Sequence, residues 1–410
     1  MKAAIVAVGT ELLGPGRPDT NAVWLAERLE RLGAEVRIRV LVADDEGAIA
    51  AALVALASEC DVVVATGGLG PTEDDRTREA LARAAGVPLE RDDARLAALR
   101  AAYASRGRTL GPEQERQADR PRGARFIDNP VGSAPGLFVS VGAALVAALP
   151  GVPAEMTAMF EGSVAREVAS RGAGTIVRRV LRVGGRTESS VDVQLRDLYG
   201  ADGVEVTILA ASGAIDLILR ARGPDASAAR ARLAPVEAEM RRRLGADLFG
   251  EDDATLASVV GGTLAGLGRT VATAESCTGG LLGAELTTVP GSSAWYRGGV
   301  VAYANEVKVG MVGVDATVLD EHGAVSEAVA RAMAAGIRER LGADYGVAVT
   351  GVAGPSGGTP EKPVGLVHHA VADAGGGAHV VLRWPGDRAL IRRRSVLAAL
   401  DLLRRRMREA

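Results

Sequence analysis

The chain has 410 residues, of which 48% are hydrophobic and 24% are charged, and its formal net charge is −3. This length exceeds that of one ordinary core and predicts two or three globular domains. The near-neutral charge does not favour nucleic acid as a partner. Two cysteines and four histidines are too few for a disulfide framework or a structural zinc site. No apolar run reaches the roughly 18 residues of a membrane span and no cleavable signal opens the chain, so we expect a cytoplasmic protein without membrane contact.

The first 170 residues alternate apolar strands with amphipathic helices. The predicted strands are KAAIVAVG, EVRIRVLVA, DVVVATGG and ALVAALPG, and a polar, arginine-rich stretch at about 91–125 lies outside them. This alternation predicts an α/β domain over 1–170, in which helices cover both faces of a parallel sheet.

A glycine-rich turn with two carboxylates follows one of these strands. The string TGGLGPTEDD ends in Asp74 and Asp75, just before a predicted helix. Adjacent carboxylates repel each other unless a cation or a helix N-terminus offsets their charge, and such hard oxygen ligands suit Mg²⁺ or Mn²⁺ on a pyrophosphate. The alternative is that the two aspartates only cap the helix.

The middle of the chain, over 171–250, predicts a small α+β unit without an obvious site. Its strands are TIVRRVLRV, VEVTILAA and AIDLILRARG, and the string LGADLFGEDDATL is interpreted as a linker into a third domain over 251–410.

The third domain again mixes strands and helices. The strands RTVATAES and DYGVAVTG end in hydroxyl and glycine residues, where open α/β sheets place their ligands. Ser276 and Thr278 lie at the first of these strand ends, and Gly279 opens the helix that follows. Backbone N–H groups at such a position can hold an oxyanion or a phosphate.

The same domain contains the parts of a serine amidase without a histidine. Amide hydrolysis needs a nucleophile, a base for its proton and an acid for the leaving amine, and a Ser–Lys pair bridged by Tyr or Ser supplies all three. Only three of the 48 basic residues are lysines, and Lys308 is one of them. A desolvated lysine can act as a neutral base, whereas arginine cannot.

Three alternatives remain open from the residues alone. A serine at the turn GSS can be a simple cap, and Cys277 can be either a thiol nucleophile or a small buried residue. A Ser–His–Asp triad would have to recruit His322, His368 or His369 from outside these motifs.

Six ordered motifs in 250–410 resemble the CinA C-terminal, or nicotinamide mononucleotide deamidase, family: TAESCTGG, GSSAWY, YANEVK, HGAVSE, TGVAGPSGG and EKPVGLV. The resemblance implies an α/β fold that converts nicotinamide mononucleotide and water into nicotinate mononucleotide and ammonia without a cofactor. It places the catalytic site on Ser276, Ser293, Tyr303 and Lys308. Either serine could attack; we favour Ser293, with Lys308 as base and Tyr303 as orienting or relay group. The implied substrate contacts are Thr278, Gly279, Asn305, Thr350 and Gly351.

The first domain resembles the molybdopterin-binding-like domain of CinA proteins, through GTELL, DTN, TGGLGPTEDD and LPGVPAEM. Its members include ADP-ribose pyrophosphatases that use a divalent metal and potassium to release AMP and ribose 5-phosphate. The candidate metal ligands are Glu11, Asp19, Asp74, Asp75 and Glu155. The candidate substrate contacts are Gly67, Gly68, Gly70, Thr72, Asn129 and Gly151. The middle unit resembles a KH-like domain, but it lacks a GxxG loop, which favours a packing or homodimer-forming role over RNA binding.

Two readings of the whole chain follow. The first is a bifunctional enzyme that recycles pyridine nucleotides, deamidating nicotinamide mononucleotide and hydrolysing ADP-ribose. The second is a scaffold or binding protein, linked to DNA uptake or damage, with a silent first domain. The basic final helix, DRALIRRRSVLAALDLLRRRMREA, is interpreted as a solvated arginine face rather than a DNA contact.

Overall fold

The computed structural model describes residues 1–105, 107, 109–172, 174–211 and 214–409. They form mixed α/β structure in two units: Met1–Val177 with Ala221–Arg232, and Arg178–Arg220 with Leu233–Ala410. Within the described ranges, no helix is both long enough and apolar enough to cross a membrane.

The first part of the chain builds a six-stranded sheet in the order β2-β1-β3-β8-β7-β6. Its strands and a small hairpin are β1 Lys2–Val8, β2 Glu35–Val42, β3 Val62–Thr66, β4 Leu89–Arg91, β5 Asp119–Pro121, β6 Arg125–Ile127, β7 Gly136–Val141 and β8 Ala144–Leu149. The helices are α1 Thr20–Arg31, α2 Glu46–Glu59, α3 Thr77–Ala85, α4 Asp93–Ser105, α5 Pro112–Glu115, α6 Pro153–Met159 and α7 Ala165–Ala169. Strands β2, β1, β3 and β8 are parallel, whereas β7 and β6 pair antiparallel.

Helices cover both faces of this sheet, as the alternation predicts. On one face, Ile49 and Leu53 of α2 pack with Leu81 of α3; on the other, Leu25 of α1 packs with Phe160, which follows α6. The strands β1, β3 and β8 are buried along nearly their whole length. Because both faces are covered, these strands are continuous apolar runs rather than alternating ones.

The middle part forms a four-stranded sheet in the order β10-β11-β9-β12. Its elements are β9 Thr175–Gly184, α8 Glu188–Leu195, β10 Glu205–Ala211, β11 Ala214–Gly223, α9 Ala226–Leu244 and β12 Leu248–Glu251. Strand β12 lies inside the string interpreted as a linker and pairs antiparallel with β9, so that interpretation is wrong. The polar residues that follow Phe249 masked the short strand, whose apolar part is only Leu248 and Phe249.

The last part forms a five-stranded sheet in the order β14-β13-β15-β16-β17. Its strands are β13 Val271–Glu275, β14 Tyr296–Val301, β15 Tyr345–Gly351, β16 Leu366–Asp373 and β17 Gly376–Arg383. Its helices are α10 Leu256–Leu267, α11 Leu281–Thr287, α12 Asn305–Val307, α13 Ala316–His322, α14 Glu327–Arg340 and α15 Arg388–Glu409. The strands β14, β13 and β15 are parallel, and β16 and β17 continue antiparallel.

A buried arginine secures the glycine-rich turn after β3. Arg78 of α3 is 1% exposed. Its guanidinium donates to the carbonyl oxygen of Leu69 and, over 3.0 Å, to that of Gly70. The side chain therefore fixes the backbone of the turn from inside the unit.

We expect Arg78→Ala to lower the free energy of unfolding of this unit by about 2 kcal/mol or more, because two backbone acceptors lose their donor and a cavity forms. Arg83→Ala, in the same helix but on an exposed side chain, is the matched control and should change it by less than about 0.5 kcal/mol. Denaturant midpoints of the two variants measure the difference; equal midpoints would contradict the role of Arg78.

Candidate active site

Three parallel strands of the last sheet end at one edge and bring the predicted amidase residues together. Strand β13 leads into Ser276, β14 leads towards Tyr303, and β15 ends in Thr350 and Gly351. The register pairs Glu275 with both Val301 and Val349, so the three carboxyl ends are level with one another. Open α/β sheets bind ligands at this edge.

A cavity of about 290 Å³ lies at this edge. Six predicted residues line it: Ser276, Tyr303, Asn305, Lys308, Thr350 and Gly351. The remaining lining includes Cys277, the segment Ala324–Val325, the loop after β15 and Arg388. One nucleophile, one amine and a glycine-rich loop therefore share a single small space.

Lys308 supplies a buried amine to this cavity. It is 1% exposed, and its Nζ donates to the carbonyl oxygen of Tyr303 over 3.0 Å. Burial lowers the pKa of its amine below the usual lysine value, because desolvation penalises the charged form. A lowered pKa increases the fraction of neutral amine near neutral pH, and only the neutral amine can accept a proton.

A buried carboxylate shapes the turn that carries Ser276. Glu275 is 2% exposed and accepts hydrogen bonds from three backbone N–H groups, those of Gly280, Leu282 and Gly283, over 2.8–3.0 Å. These groups belong to the first turn of α11, where orphan donors favour a negative charge. Sequence reasoning missed Glu275; the acidic residue at the end of an otherwise apolar strand was the available signal.

Ser293 does not join this site. It lies in a short helical turn just before β14, at the amino end of the parallel strands, whereas Ser276 and Lys308 lie beyond their carboxyl ends. Four residue steps along β13 separate the two edges by roughly 13 Å. Ser293 therefore does not share the cavity of Lys308 in this chain, as the favoured assignment requires, whereas Ser276 does.

The last helix supplies two arginines that sequence reasoning assigned to a solvated face. At the start of α15, Arg388 donates to the Tyr303 hydroxyl over 3.0 Å and to the Gly354 carbonyl over 2.8 Å. Arg392, one turn later, donates to the Thr278 carbonyl over 2.7 Å. Arg388 is exposed, as a solvated face predicts, although it lines the cavity, whereas the interpretation is wrong for the half-buried Arg392. Their helical spacing of four, directly after the turn PGD, was the signal that could have found them.

The other predicted contacts take distinct places. Thr350 is fully buried and donates to the Ala324 carbonyl over 2.7 Å, which fixes the segment facing the cavity. Gly351 lies so close to β16 that a Cβ atom would be 2.6 Å from the Leu366 carbonyl oxygen. Thr278 and Gly279 belong to the turn after Ser276, but neither is among the described residues that line the cavity.

The structure disfavours the alternative nucleophile and bases. Burial raises the pKa of Cys277 to about 12, so its thiol stays protonated near neutral pH. Of the histidines considered, His369 is completely buried and its pKa is lowered to about 4 by desolvation, while His368 contacts His379 over 3.1 Å. His322 is not among the described residues lining the cavity, and its carbonyl accepts from Lys362 over 2.8 Å.

The first sheet also gathers its predicted residues at a carboxyl edge. Gly67 and Gly68 follow β3 with φ of 111° and 66°, values that side chains rarely adopt. A Cβ at Gly67 would collide with the Val8 carbonyl oxygen. Asn21, at the start of α1, donates to the Thr66 hydroxyl over 3.2 Å and to the Gly151 carbonyl over 2.8 Å. The ends of β1, β3 and β8 are thereby tied together.

The five carboxylates expected to hold a metal take separate roles. Asp19 caps α1 through the N–H of Ala22, and Asp75 accepts from the N–H and hydroxyl of Thr72 over 2.8 and 2.6 Å. Glu155 accepts from Asn129 over 2.6 Å. The other two carboxylates, Glu11 and Asp74, are exposed. Gly70 lies against the Asp75 carboxylate.

Two of these carboxylates share a cavity. Glu11 and Asp19 line a space of about 70 Å³ with Asn21, Thr66 and Gly151. Among the described residues, no three His, Cys, Asp or Glu side chains are placed to hold one metal ion. Mg²⁺ is commonly bound by one or two carboxylates with water and substrate phosphates. Glu11 and Asp19 fit that mode.

Comparison with known protein families matches the chain in three segments. Residues 253–407 match the CinA C-terminal domain, residues 4–169 a probable molybdopterin binding domain, and residues 178–250 the damage-inducible protein CinA KH domain. This combination of domains fits an enzyme.

Relatives match over nearly the full length. A putative competence-damage inducible protein of Symbiobacterium thermophilum is 46% identical over 99% of this chain and 98% of its own. A CinA-like protein of Parasynechococcus marenigrum is 46% identical over 98% of this chain and 97% of its own. Among solved structures, a competence/damage inducible protein from Agrobacterium tumefaciens is 45% identical over 36% of this chain and 91% of that one, with a TM-score of 0.36. The chain belongs to the CinA family.

Proposed function

We propose that the last domain hydrolyses the carboxamide of nicotinamide mononucleotide, giving nicotinate mononucleotide and ammonia. One observation carries this proposal: Ser276 and the buried Lys308, whose amine has a lowered pKa, line the same small cavity. A hydroxyl beside a neutral amine is the minimum set for serine amidase chemistry without histidine.

In the proposed reaction, Ser276 Oγ attacks the carbonyl carbon of the amide while Lys308 Nζ takes the hydroxyl proton. The N–H group of Cys277, which follows Ser276 and also lines the cavity, is the proposed donor to the tetrahedral oxyanion. Lys308 returns the proton to the amide nitrogen as collapse breaks the C–N bond, so that the leaving group departs as ammonia. A water molecule, deprotonated by Lys308, then attacks the seryl ester and releases the carboxylate with Ser276 restored.

The phosphate of the substrate is assigned to Arg388. This guanidinium lies at the mouth of the cavity, between the Tyr303 hydroxyl and the Gly354 carbonyl. A guanidinium binds phosphate through paired N–H groups, and the neighbouring N–H groups of a glycine-rich loop add further donors. Tyr303 is 59% exposed, so a ligand can reach its ring from solvent.

Ser276→Ala should lower the rate of ammonia release from nicotinamide mononucleotide by at least about 100-fold, because the nucleophile is lost. Ser293→Ala is the matched control; its hydroxyl lies at the other edge of the sheet, and the rate should stay within about twofold of the wild type. Steady-state assays of ammonia distinguish the two. A large loss in Ser293→Ala with little loss in Ser276→Ala would refute the assignment.

The activity should rise with pH as Lys308 loses its proton, with a midpoint below the ordinary lysine pKa, since burial lowers the pKa of this amine. Lys308→Arg keeps the charge but cannot accept a proton at these pH values, so kcat should fall by about 100-fold or more. A kcat profile between pH 6 and about 10 measures both effects. A profile that is flat, or unchanged in Lys308→Arg, would show that another group is the base.

For the first domain, we propose metal-dependent hydrolysis of ADP-ribose to AMP and ribose 5-phosphate. The support is the strand-end cavity lined by Glu11, Asp19 and Thr66. The turn at Gly67 and Gly68 follows Thr66 directly, and its glycines let backbone approach a diphosphate closely. A divalent metal held by the two carboxylates would neutralise phosphate charge. The role of potassium stays a prediction.

Glu11→Gln should lower AMP release from ADP-ribose by about 100-fold, and a chelator should abolish it in the wild type, because the proposed site loses its metal. Glu27→Gln, on the exposed surface of α1, is the matched control and should leave the rate unchanged. Chromatographic measurement of AMP tests both. Turnover that persists with chelator would refute the metal assignment.

A further inference from the structure

A larger cavity, of about 400 Å³, lies in the second unit and shares no lining residue with the amidase cavity. One wall is apolar and comes from α10, β17 and α15, through Leu256, Val380, Leu382 and Leu397. Trp384, directly after β17, completes this wall. The size falls within the range of small-molecule sites, which are mostly apolar with a few placed polar groups.

A second wall is charged. It includes Arg186, next to the glycine turn at the end of β9, together with Asp247, Asp401 and Arg405. Arg186 and Arg405 both donate to Asp247, over 2.7 and 3.0 Å, and Arg405 also donates to Asp401 over 2.8 Å. The two aspartates are therefore satisfied by these arginines. The fifth charged lining residue, Arg394, leaves the wall with one excess positive charge.

Arg394 and Trp384 form the junction of the two walls. The Arg394 guanidinium lies 5.9 Å from the centre of the Trp384 ring, and its Nη1 donates to the Pro385 carbonyl over 3.0 Å. Trp384 Nε1 is buried and has no hydrogen-bond acceptor within the described ranges. An aromatic face, an arginine and an unused N–H donor thus meet at one corner.

We propose that this cavity binds a mononucleotide. An aromatic base packs against Trp384 and the leucines, where its burial is favourable, and the phosphate pairs with Arg394, the cation that no carboxylate of the described wall neutralises. Thr187, the N-cap of α8, also lines the cavity, and the positive end of that helix favours an anion near it. A purely apolar ligand would leave the charge of Arg394 without a counter-charge and Trp384 Nε1 without an acceptor.

The position links this cavity to the amidase site. Trp384 precedes Arg388 by four residues, and Arg394 follows Arg388 by six. The two proposed ligand contacts therefore lie on either side of Arg388, which donates to the Tyr303 hydroxyl. Binding of the nucleotide holds the segment between these two contacts, and the affinity of the amidase site for its own phosphate changes with it. This coupling rests on the proposed amidase, whereas the binding does not.

Binding is tested by titrating the full-length protein with AMP and following tryptophan fluorescence. We expect a saturable change that is absent in Trp384→Phe and retained in Arg388→Ala. Arg394→Ala should weaken AMP binding by about tenfold or more, because a charge-assisted contact is lost. The matched control is Arg393→Ala, which removes the neighbouring exposed arginine of α15 and should change the dissociation constant by less than about twofold.

Adenosine and inorganic phosphate, each titrated alone, should bind at least about tenfold more weakly than AMP, since each makes only half of the contacts. Ala398→Phe, which fills the cavity from α15, should abolish the AMP signal without lowering the thermal midpoint. Loss of the signal in Arg388→Ala would place AMP in the amidase cavity and overturn the proposal. Equal binding by Arg394→Ala and Arg393→Ala, or by phosphate and AMP, would also overturn it.

The coupling has its own readout. AMP should change the KM for nicotinamide mononucleotide by at least about twofold in the wild type and in Arg393→Ala, but not in Arg394→Ala. If AMP changes the KM of Arg394→Ala as much as that of the wild type, the coupling is contradicted. That result would not bear on AMP binding, which fluorescence measures, or on the amidase activity itself.

Discussion

Desolvation of one lysine governs what the last domain can do. An exposed ammonium is strongly hydrated and stays charged near neutral pH, whereas Lys308 is 1% exposed, and this burial favours its neutral form. Burial of an unpaired charge is costly, and the site offsets part of it by the hydrogen bond to the Tyr303 carbonyl. The same burial keeps Cys277 as a neutral thiol, with its pKa raised to about 12. The same low-dielectric space therefore disfavours both a charged amine at Lys308 and a thiolate at Cys277.

Strand direction is the constraint that assembles both candidate sites. In the last sheet, the parallel strands β13, β14 and β15 end level with one another; in the first, β1, β3 and β8 do the same. Side chains far apart in sequence meet because every such strand delivers its following loop to the same edge. The rule also excludes residues: Ser293 precedes β14 and so lies at the opposite edge, although its motif is as distinctive as that of Ser276.

Sequence patterns predicted both α/β sheets, because strands that are buried on both faces appear in the sequence as continuous apolar runs. They also predicted six of the residues that line the cavity at the carboxyl edge of the last sheet, including Lys308, whose rarity made it visible. They missed β12, which is too short and polar to show a period. They also missed Glu275, whose role exists only through three backbone N–H groups that fold against it. Local patterns carry no information about which loop a distant side chain will reach.

The final helix shows why composition alone misjudged its charges. A solvated arginine face is the ordinary outcome for such a basic stretch, and the net charge of −3 gives no hint of a polyanion site. The helix nevertheless directs different arginines to different partners: Arg392 donates to the Thr278 carbonyl, while Arg404, 3% exposed, donates to the Ala246 carbonyl over 2.7 Å. Each contact ties α15 to a separate loop, so the helix positions the site from outside the sheet edge. Small anionic ligands need only such locally placed cations, because a few directed N–H groups in a partly buried site outweigh the average charge of the surface.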